Sequence, residues 1–192
     1  MRLLGLTGGI GAGKSEALAA LGRLGAATLS SDAVVHELLA TPELAGLVRE
    51  RLGAEVVPEG AVDRRALGER VFADPEARDW LEALLWPRVE ARVRAWRADL
   101  EAAPSAPRVG VVEVPLLFEA GMEGLFDATL AVVSERAAER AAARGHAGAA
   151  ARTERQLPQD RKAARADVVV RNDGDLHDLQ RALSPVLGRM EA

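Results

Sequence analysis

Gly8-Gly9-Ile10-Gly11-Ala12-Gly13-Lys14-Ser15 satisfies the pattern G-x-x-x-x-G-K-[ST] at every position. The pattern demands a tight loop between a strand and a helix. Its glycines let successive backbone N–H groups point inward at phosphate oxygens, which side chains would block. Lys14 brings a compact charge to the β- and γ-phosphates of a nucleotide, and the Ser15 hydroxyl is placed to ligate Mg²⁺. The flanks agree: residues 3–6 read as a short buried strand, and residues 16–24 read as a helix ending at Gly25. A phosphate at that helix N-terminus also gains from the macrodipole. At ordinary residue frequencies the pattern arises by accident in about one chain of this length in a hundred, and its setting makes accident rarer still. Of 25 Lys and Arg residues only two are lysines, Lys14 and Lys162. In a chain that otherwise uses arginine, a lysine here marks a place for a point charge where a planar fork would not fit. Gly8, Gly9, Ile10, Gly11, Ala12, Gly13, Lys14, Ser15 and Glu16 are therefore the candidate nucleotide-binding stretch, with Ser15 as the candidate metal ligand.

Composition bounds the rest. At 192 residues the chain can bury one good core, with room for an inserted subdomain. A formal net charge of -4 supplies no basic field to draw the protein to nucleic acid. The absence of cysteine excludes disulfides and thiol catalysis and fits a reducing interior. No apolar run reaches the roughly 18 residues that span a bilayer, and the start of the chain shows no signal-peptide pattern. The expectation is a cytoplasmic enzyme that engages neither nucleic acid nor membrane.

Strand and helix alternate along the chain, which argues for an α/β fold with a mostly parallel sheet of about five strands. Strands are expected at residues 26–30, 109–114, 128–133 and 167–171 besides the first. Helices are expected at 33–40, 134–144 and 175–190, the last with Ser184-Pro185 as a place to bend. Between residues 41 and 103 strand signals nearly vanish. Leu44, Leu47, Val48 and Leu52, then Leu67, Val71 and Phe72, then Leu81, Leu84 and Leu85 recur at helical spacing. This block reads as a helical subdomain inserted into a core formed by residues 1–40 and 104–192. Residues 145–166, rich in arginine, alanine and glycine, read as a lid.

The loop alone does not choose among phosphate-loop proteins. A GTPase needs an N-K-x-D guanine reader, and Asn172-Asp173-Gly174-Asp175 lacks the lysine. Motors are larger and carry an apolar strand ending in aspartate. A small-molecule kinase needs a lid and an acceptor-binding region, and the chain offers one candidate for each. Further residues resemble one family, the dephospho-CoA kinases. Leu6-Thr7-Gly8-Gly9-Ile10-Gly11-Ala12-Gly13-Lys14-Ser15 resembles that family's opening, and Ser31-Asp32 stands where the family has D-A-D. Residues 60–67 resemble its G-x-[IL]-[DN]-R-x-x-L. Val114-Pro115-Leu116-Leu117-Phe118-Glu119 matches its V-P-L-L-F-E, and Gln156, Lys162, Ala166-Asp167 and Asn172 fall at the spacing of its tail. Departures are Ser30 for the first aspartate of D-A-D, Trp86 where the family has histidine before proline, His36 for a common arginine and Glu16 for a common threonine. The resemblance implies a three-layer P-loop fold, ATP and dephospho-CoA as substrates, Mg²⁺ as cofactor, and residues 41–103 as the acceptor-binding part. A nucleoside or nucleotide kinase of the same fold is the alternative, and a switch without an acceptor is a more distant one.

Phosphoryl transfer asks for positioning and charge neutralisation. Asp32, just past the second strand, has two readings: a base for the acceptor hydroxyl, or an N-cap for the following helix. The resemblance implies the first. Glu113 reads either as a carboxylate on the metal side or as a strand-edge residue. The family segment implies that Pro115 forms wall near the acceptor and that Glu119 contacts the acceptor or orients a loop. Arg136 reads as a solvated face residue beside Glu135 and Glu139. For Arg140 and Arg144 the resemblance implies contacts to the phosphates, with Arg140 stabilising charge on the transferred group. Arg64 is the acceptor-side candidate, as a fork for phosphate, against an ion pair with Asp63 or Glu69. Asn172 is expected to shape the adenine pocket. His36, His146 and His177 show no metal-ligand spacing. Trp80, Trp86 and Trp96 fall on helical faces and read as core, with Trp86 also a candidate for the acceptor pocket.

Overall fold

The computed structural model describes residues 1–143 and 156–191. The chain forms two compact units, Met1–Ser31 with Val93–Ala192, and Asp32–Arg92.

The first unit holds a five-stranded sheet of β1 (Arg2–Gly8), β2 (Ala27–Ser30), β3 (Val109–Glu113), β4 (Ala128–Val133) and β5 (Val168–Arg171). The order is β2-β3-β1-β4-β5 and every pairing is parallel. Central β1 is apolar almost throughout because parallel strands are covered on both faces. Alternate residues face opposite ways. Leu4 and Leu6 join a cluster with Ala17 and Leu21 of α1 (Lys14–Arg23) and Leu179, Leu183 and Leu187 of α8 (Leu176–Glu191). Gly5 faces the other way, where a Cβ would stand 2.7 Å from both Leu117 and Phe126, and a Cβ on Gly110 would stand 3.2 Å from Trp96. Four of the five expected strands fall within a residue of their places, and β1 runs two residues further than expected, to Gly8. α8 runs unbroken through Pro185. No helix among the described residues is long and apolar enough to cross a membrane.

Two shorter helices complete this unit, α6 (Ala137–Ala143) and α7 (Gln159–Arg165). α6 begins three residues later than expected. Asp173 takes the Ser134 hydroxyl and the Glu135 N–H, and the Ser134 hydroxyl in turn accepts from Arg136 N–H, so residues 134–136 form a turn. The backbone N–H of Glu135 is the main reason the Asp173 carboxyl lies below its ordinary pKa.

The second unit carries α2 (Ser31–Leu39, from its second residue on), α3 (Pro42–Leu52), α4 (Arg64–Ala73) and the first part of α5 (Pro75–Ala102), whose end belongs to the first unit. Thr41 caps α3 by accepting from Leu44 N–H, and Asp63 caps α4 through Arg65 and Ala66 N–H. Leu44, Val48, Leu52, Leu67, Leu81 and Leu85 form one buried cluster with Val56 and Val57. Phe72 departs from the expected apolar stripe and is 64% exposed.

Two measurements check this architecture. Leu130→Ala, at the centre of β4, is expected to cost about 2–5 kcal/mol in urea unfolding, because the side chain is fully buried. The Asp167 carboxylate accepts from both the hydroxyl and the N–H of Thr129 at 2.8 Å, and the hydroxyl bond most of all holds its pKa below the usual carboxylate range. A pKa depressed by folding contributes stability above the unfolded value of about 3.9, and that contribution is lost as pH falls through the folded value. The stability gap between wild type and Asp167→Asn is therefore expected to be full near neutrality and to close below about pH 4.

Candidate active site

The phosphate loop runs from the end of β1 into α1, and its backbone requires its glycines. Gly13 precedes α1 at φ 94, and a Cβ there would stand 2.1 Å from the Asn172 side-chain amide. Gly11, at φ 78, leaves only 2.0 Å between such a Cβ and the Ala137 carbonyl oxygen. No side chain caps α1, so its first-turn N–H groups face the loop without a protein acceptor of that kind. Lys14 Nζ donates to the Gly9 carbonyl at 3.0 Å and so lies back over the loop. Glu16, half-buried, stands in the first turn of α1.

The Ser15 hydroxyl lies 3.4 Å from Glu113 Oε1. Glu113 ends β3, opposite Leu6 of β1 and Ser30 of β2, and is buried. The carboxylate thus meets the hydroxyl of the candidate metal ligand from a buried position and does not face solvent. A hydroxyl and a carboxylate oxygen are hard donors that suit Mg²⁺, which keeps waters and substrate phosphates as its remaining ligands. No group of three or more His, Cys, Asp or Glu among the described residues could hold an ion by itself.

Asn172 braces the loop from the β4–β5 side. It follows β5, donates its N–H to Val133 O at 2.8 Å, and donates its side-chain amide to Ala12 O at 2.9 Å. Arg140, in the last turn of α6, donates to the Asn172 carbonyl at 3.0 Å. Asn172 thus shapes the loop itself through its side chain. Arg136 pairs with Glu139 at 3.2 Å on an exposed face, as its spacing suggested. Arg144 lies outside the described residues.

The residues after β3 are engaged internally. The Pro115 carbonyl accepts from Lys162 Nζ at 2.5 Å and from the Thr7 hydroxyl at 3.4 Å. Glu119 pairs with Lys162 at 3.0 Å and accepts Leu157 N–H at 2.7 Å. Lys162, assigned no role from sequence, is the largest fully buried side chain described. Its signal was present, since it is the other of the two lysines.

In the helical unit, α2 starts at Ser31, so Asp32 is the second helical residue and not its N-cap. Its carboxylate is exposed and makes no hydrogen bond or ion pair with another described residue. Arg64 does not pair with Asp63 or Glu69. Arg65 takes Glu69 at 2.9 Å, while Arg64 Nη1 lies 3.0 Å from the His36 ring nitrogens. Adjacent helical residues point about 100° apart, which separates their partners. Trp80 packs against the buried cluster of this unit, and Trp86 is half-buried.

Asn172→Ala leaves the Ala12 carbonyl unbonded beneath the loop, a loss of about 1–3 kcal/mol for a buried group. The dissociation constant for ATP, measured by calorimetric titration, is expected to rise about tenfold or more. An unchanged constant would show that the brace does not matter to the loop.

The dephospho-CoA kinase family model matches residues 2–178. A dephospho-CoA kinase of Anaeromyxobacter dehalogenans is 46% identical over 91% of this chain and 85% of its own length. One from Deinococcus radiodurans is 40% identical over 99% and 93%. Among solved structures, a Thermus thermophilus protein matches with a TM-score of 0.79 at 37% identity, covering 98% of this chain and 97% of its own. The dephospho-CoA kinase from Campylobacter jejuni matches with a TM-score of 0.70 at 25% identity, covering 98% and 96%. Shikimate kinase from Aquifex aeolicus, at 17% identity and a TM-score of 0.53, shares the fold. The chain belongs to the dephospho-CoA kinase family.

Proposed function

We propose that this chain transfers the γ-phosphoryl group of ATP to the ribose 3′-hydroxyl of dephospho-CoA, giving CoA and ADP. The observation that carries this reading is the complete phosphate loop, braced by Asn172 on one side and set against Glu113 on the other, in a chain of this family. Backbone N–H groups of Gly8 to Ser15 cradle the phosphates, and Lys14 leaves the Gly9 carbonyl to neutralise charge on the β- and γ-oxygens. Ser15, with Glu113 behind it, would hold Mg²⁺, which would supply positive charge to offset that developing on the phosphate oxygens. Arg140 stabilises charge on the transferred group, as does Arg144 in the same reading.

On the acceptor side Asp32 orients the 3′-hydroxyl and takes its proton. A bond forms from that oxygen to the γ-phosphorus as the bond to the bridging oxygen of ADP breaks. An exposed carboxylate without a partner among the described residues suits this task better than a cap does. Arg64, with its guanidinium set by His36, offers donors to a phosphate of the CoA moiety. Residues 41–103 are, in this reading, the acceptor-binding part, and residues 145–166 the lid.

Asp32→Asn is expected to lower kcat by about 10²–10⁴ with the melting temperature unchanged. A small rate effect with a fall in melting temperature would return Asp32 to a structural role. Lys14→Ala is expected to abolish turnover in a folded protein. The function itself is tested by ADP release with dephospho-CoA beside AMP, CMP, uridine, pantothenate and no acceptor. Turnover only with dephospho-CoA supports the reading, and turnover with a nucleotide instead would keep the kinase and change its substrate.

A further inference from the structure

Lys162 is 0% exposed, and its ammonium has three donors to place. All go to groups at the carboxyl edge of the sheet: Pro115 O at 2.5 Å, Glu119 Oε1 at 3.0 Å, and the Thr7 hydroxyl at 3.4 Å. Thr7 directly precedes the first glycine of the phosphate loop. The Glu119 carboxylate is shared, since it also accepts Leu157 N–H at 2.7 Å ahead of α7. Two other side chains of α7 grip the same edge. Gln159 bonds both the N–H and the carbonyl of Ser134 at 3.1 Å. Arg165 lies 4.6 Å over the Phe118 ring and pairs with Glu123. α7 is thereby fastened to residues 115–123, the segment that leaves β3.

This is a costly way to fasten two elements. Burial is the main cause that lowers the Lys162 pKa, opposing the raising effect of Glu119. An apolar contact of similar volume would hold the same elements together without removing an ammonium from water. What the ammonium adds is direction, because it fixes one carbonyl and one carboxylate in a single arrangement. The topology says which part of the site that arrangement serves. In the order β2-β3-β1-β4-β5, the segment after β3 leaves the sheet between the phosphate loop and the end of β2, two residues before Asp32. The nucleotide side is braced separately, from β4–β5, by Asn172 and Arg140.

We infer that Lys162 is a positioning residue for the acceptor side of the site: it holds residues 115–119 in the arrangement that receives dephospho-CoA, while Asn172 does the corresponding task for ATP. The inference rests on the kinase reading above and adds a residue to it. Lys162→Met fills the space without the charge. It is expected to raise the KM for dephospho-CoA about tenfold or more, with the KM for ATP within about twofold, when measured well below its melting temperature. Asn172→Ala is expected to show the opposite split. A purely structural role would lower the melting temperature and the active fraction, and hence apparent kcat, with both KM values unchanged. That outcome, or an equal rise in both KM values, overturns the inference. Should Lys162→Met fail to fold, Arg165→Ala, at an exposed position, releases the other end of the same fastening. It is expected to raise the acceptor KM severalfold with the ATP KM unchanged, and no change in either overturns the inference. Wild-type enzyme run alongside separates the two failures. Absence of dephospho-CoA-dependent turnover in wild type removes the kinase reading, whereas normal wild-type turnover with unmoved acceptor KM in the variants removes only the role of Lys162.

Discussion

A phosphate loop has almost no side chains with which to hold itself, and this constraint organises the rest of the first unit. Backbone N–H groups must converge on an anion, so glycines occupy left-handed conformations at Gly11 and Gly13 and neighbours press close against them. Rigidity has to come from outside. Asn172 supplies it by bonding Ala12 O, its own backbone is fixed by Val133, and Arg140 closes on its carbonyl. The parallel sheet places these groups, because the loops that follow β1, β3, β4 and β5 all emerge at one edge.

The two lysines divide the work of this edge by burial. Lys14 is half-buried and reaches a loop carbonyl at the end of a flexible four-carbon stem. Lys162 has no access to water and is surrounded by fixed oxygens, so it cannot leave. A mobile charge suits a group that follows a phosphate through transfer. An immobile one suits a group that sets the shape of a segment. Arginine fits neither place well, since its planar fork needs more room and cannot converge on a single point.

Much of this was legible in the chain. The phosphate loop, the strand at 128–133 and the apolar runs of the other strands are local patterns, and local patterns survive folding when both faces of a sheet are covered. The helical block showed itself through Leu44, Val48, Leu52, Leu67, Leu81 and Leu85, all of which are buried. What was not legible depends on contacts across the chain. Spacing cannot tell which of Arg64 and Arg65 turns toward Glu69, since His36, 28 residues away, settles the direction of Arg64. The start of α6 is displaced by Asp173, which reaches back 38 residues to Glu135. Asp32 shifts from cap to second helical residue because helix starts are defined only to a residue or two by local sequence. Lys162 carried the same compositional signal as Lys14, but its partners at Thr7 and Pro115 are visible only in the fold. The resemblance to the family was carried by motifs on both sides of the helical block and by residues 60–67 within it, which is why it extended over nearly the whole chain.

The most direct test of the account is the structure of the product formed from ATP, Mg²⁺ and dephospho-CoA. Mass spectrometry should show dephospho-CoA gaining one phosphate as one ADP forms, and proton–phosphorus correlation should place that phosphate on the ribose 3′ oxygen. ADP formed at the same rate with and without dephospho-CoA, with no phosphorylated product, would contradict the account, because the loop would then serve a nucleotide switch and not a kinase.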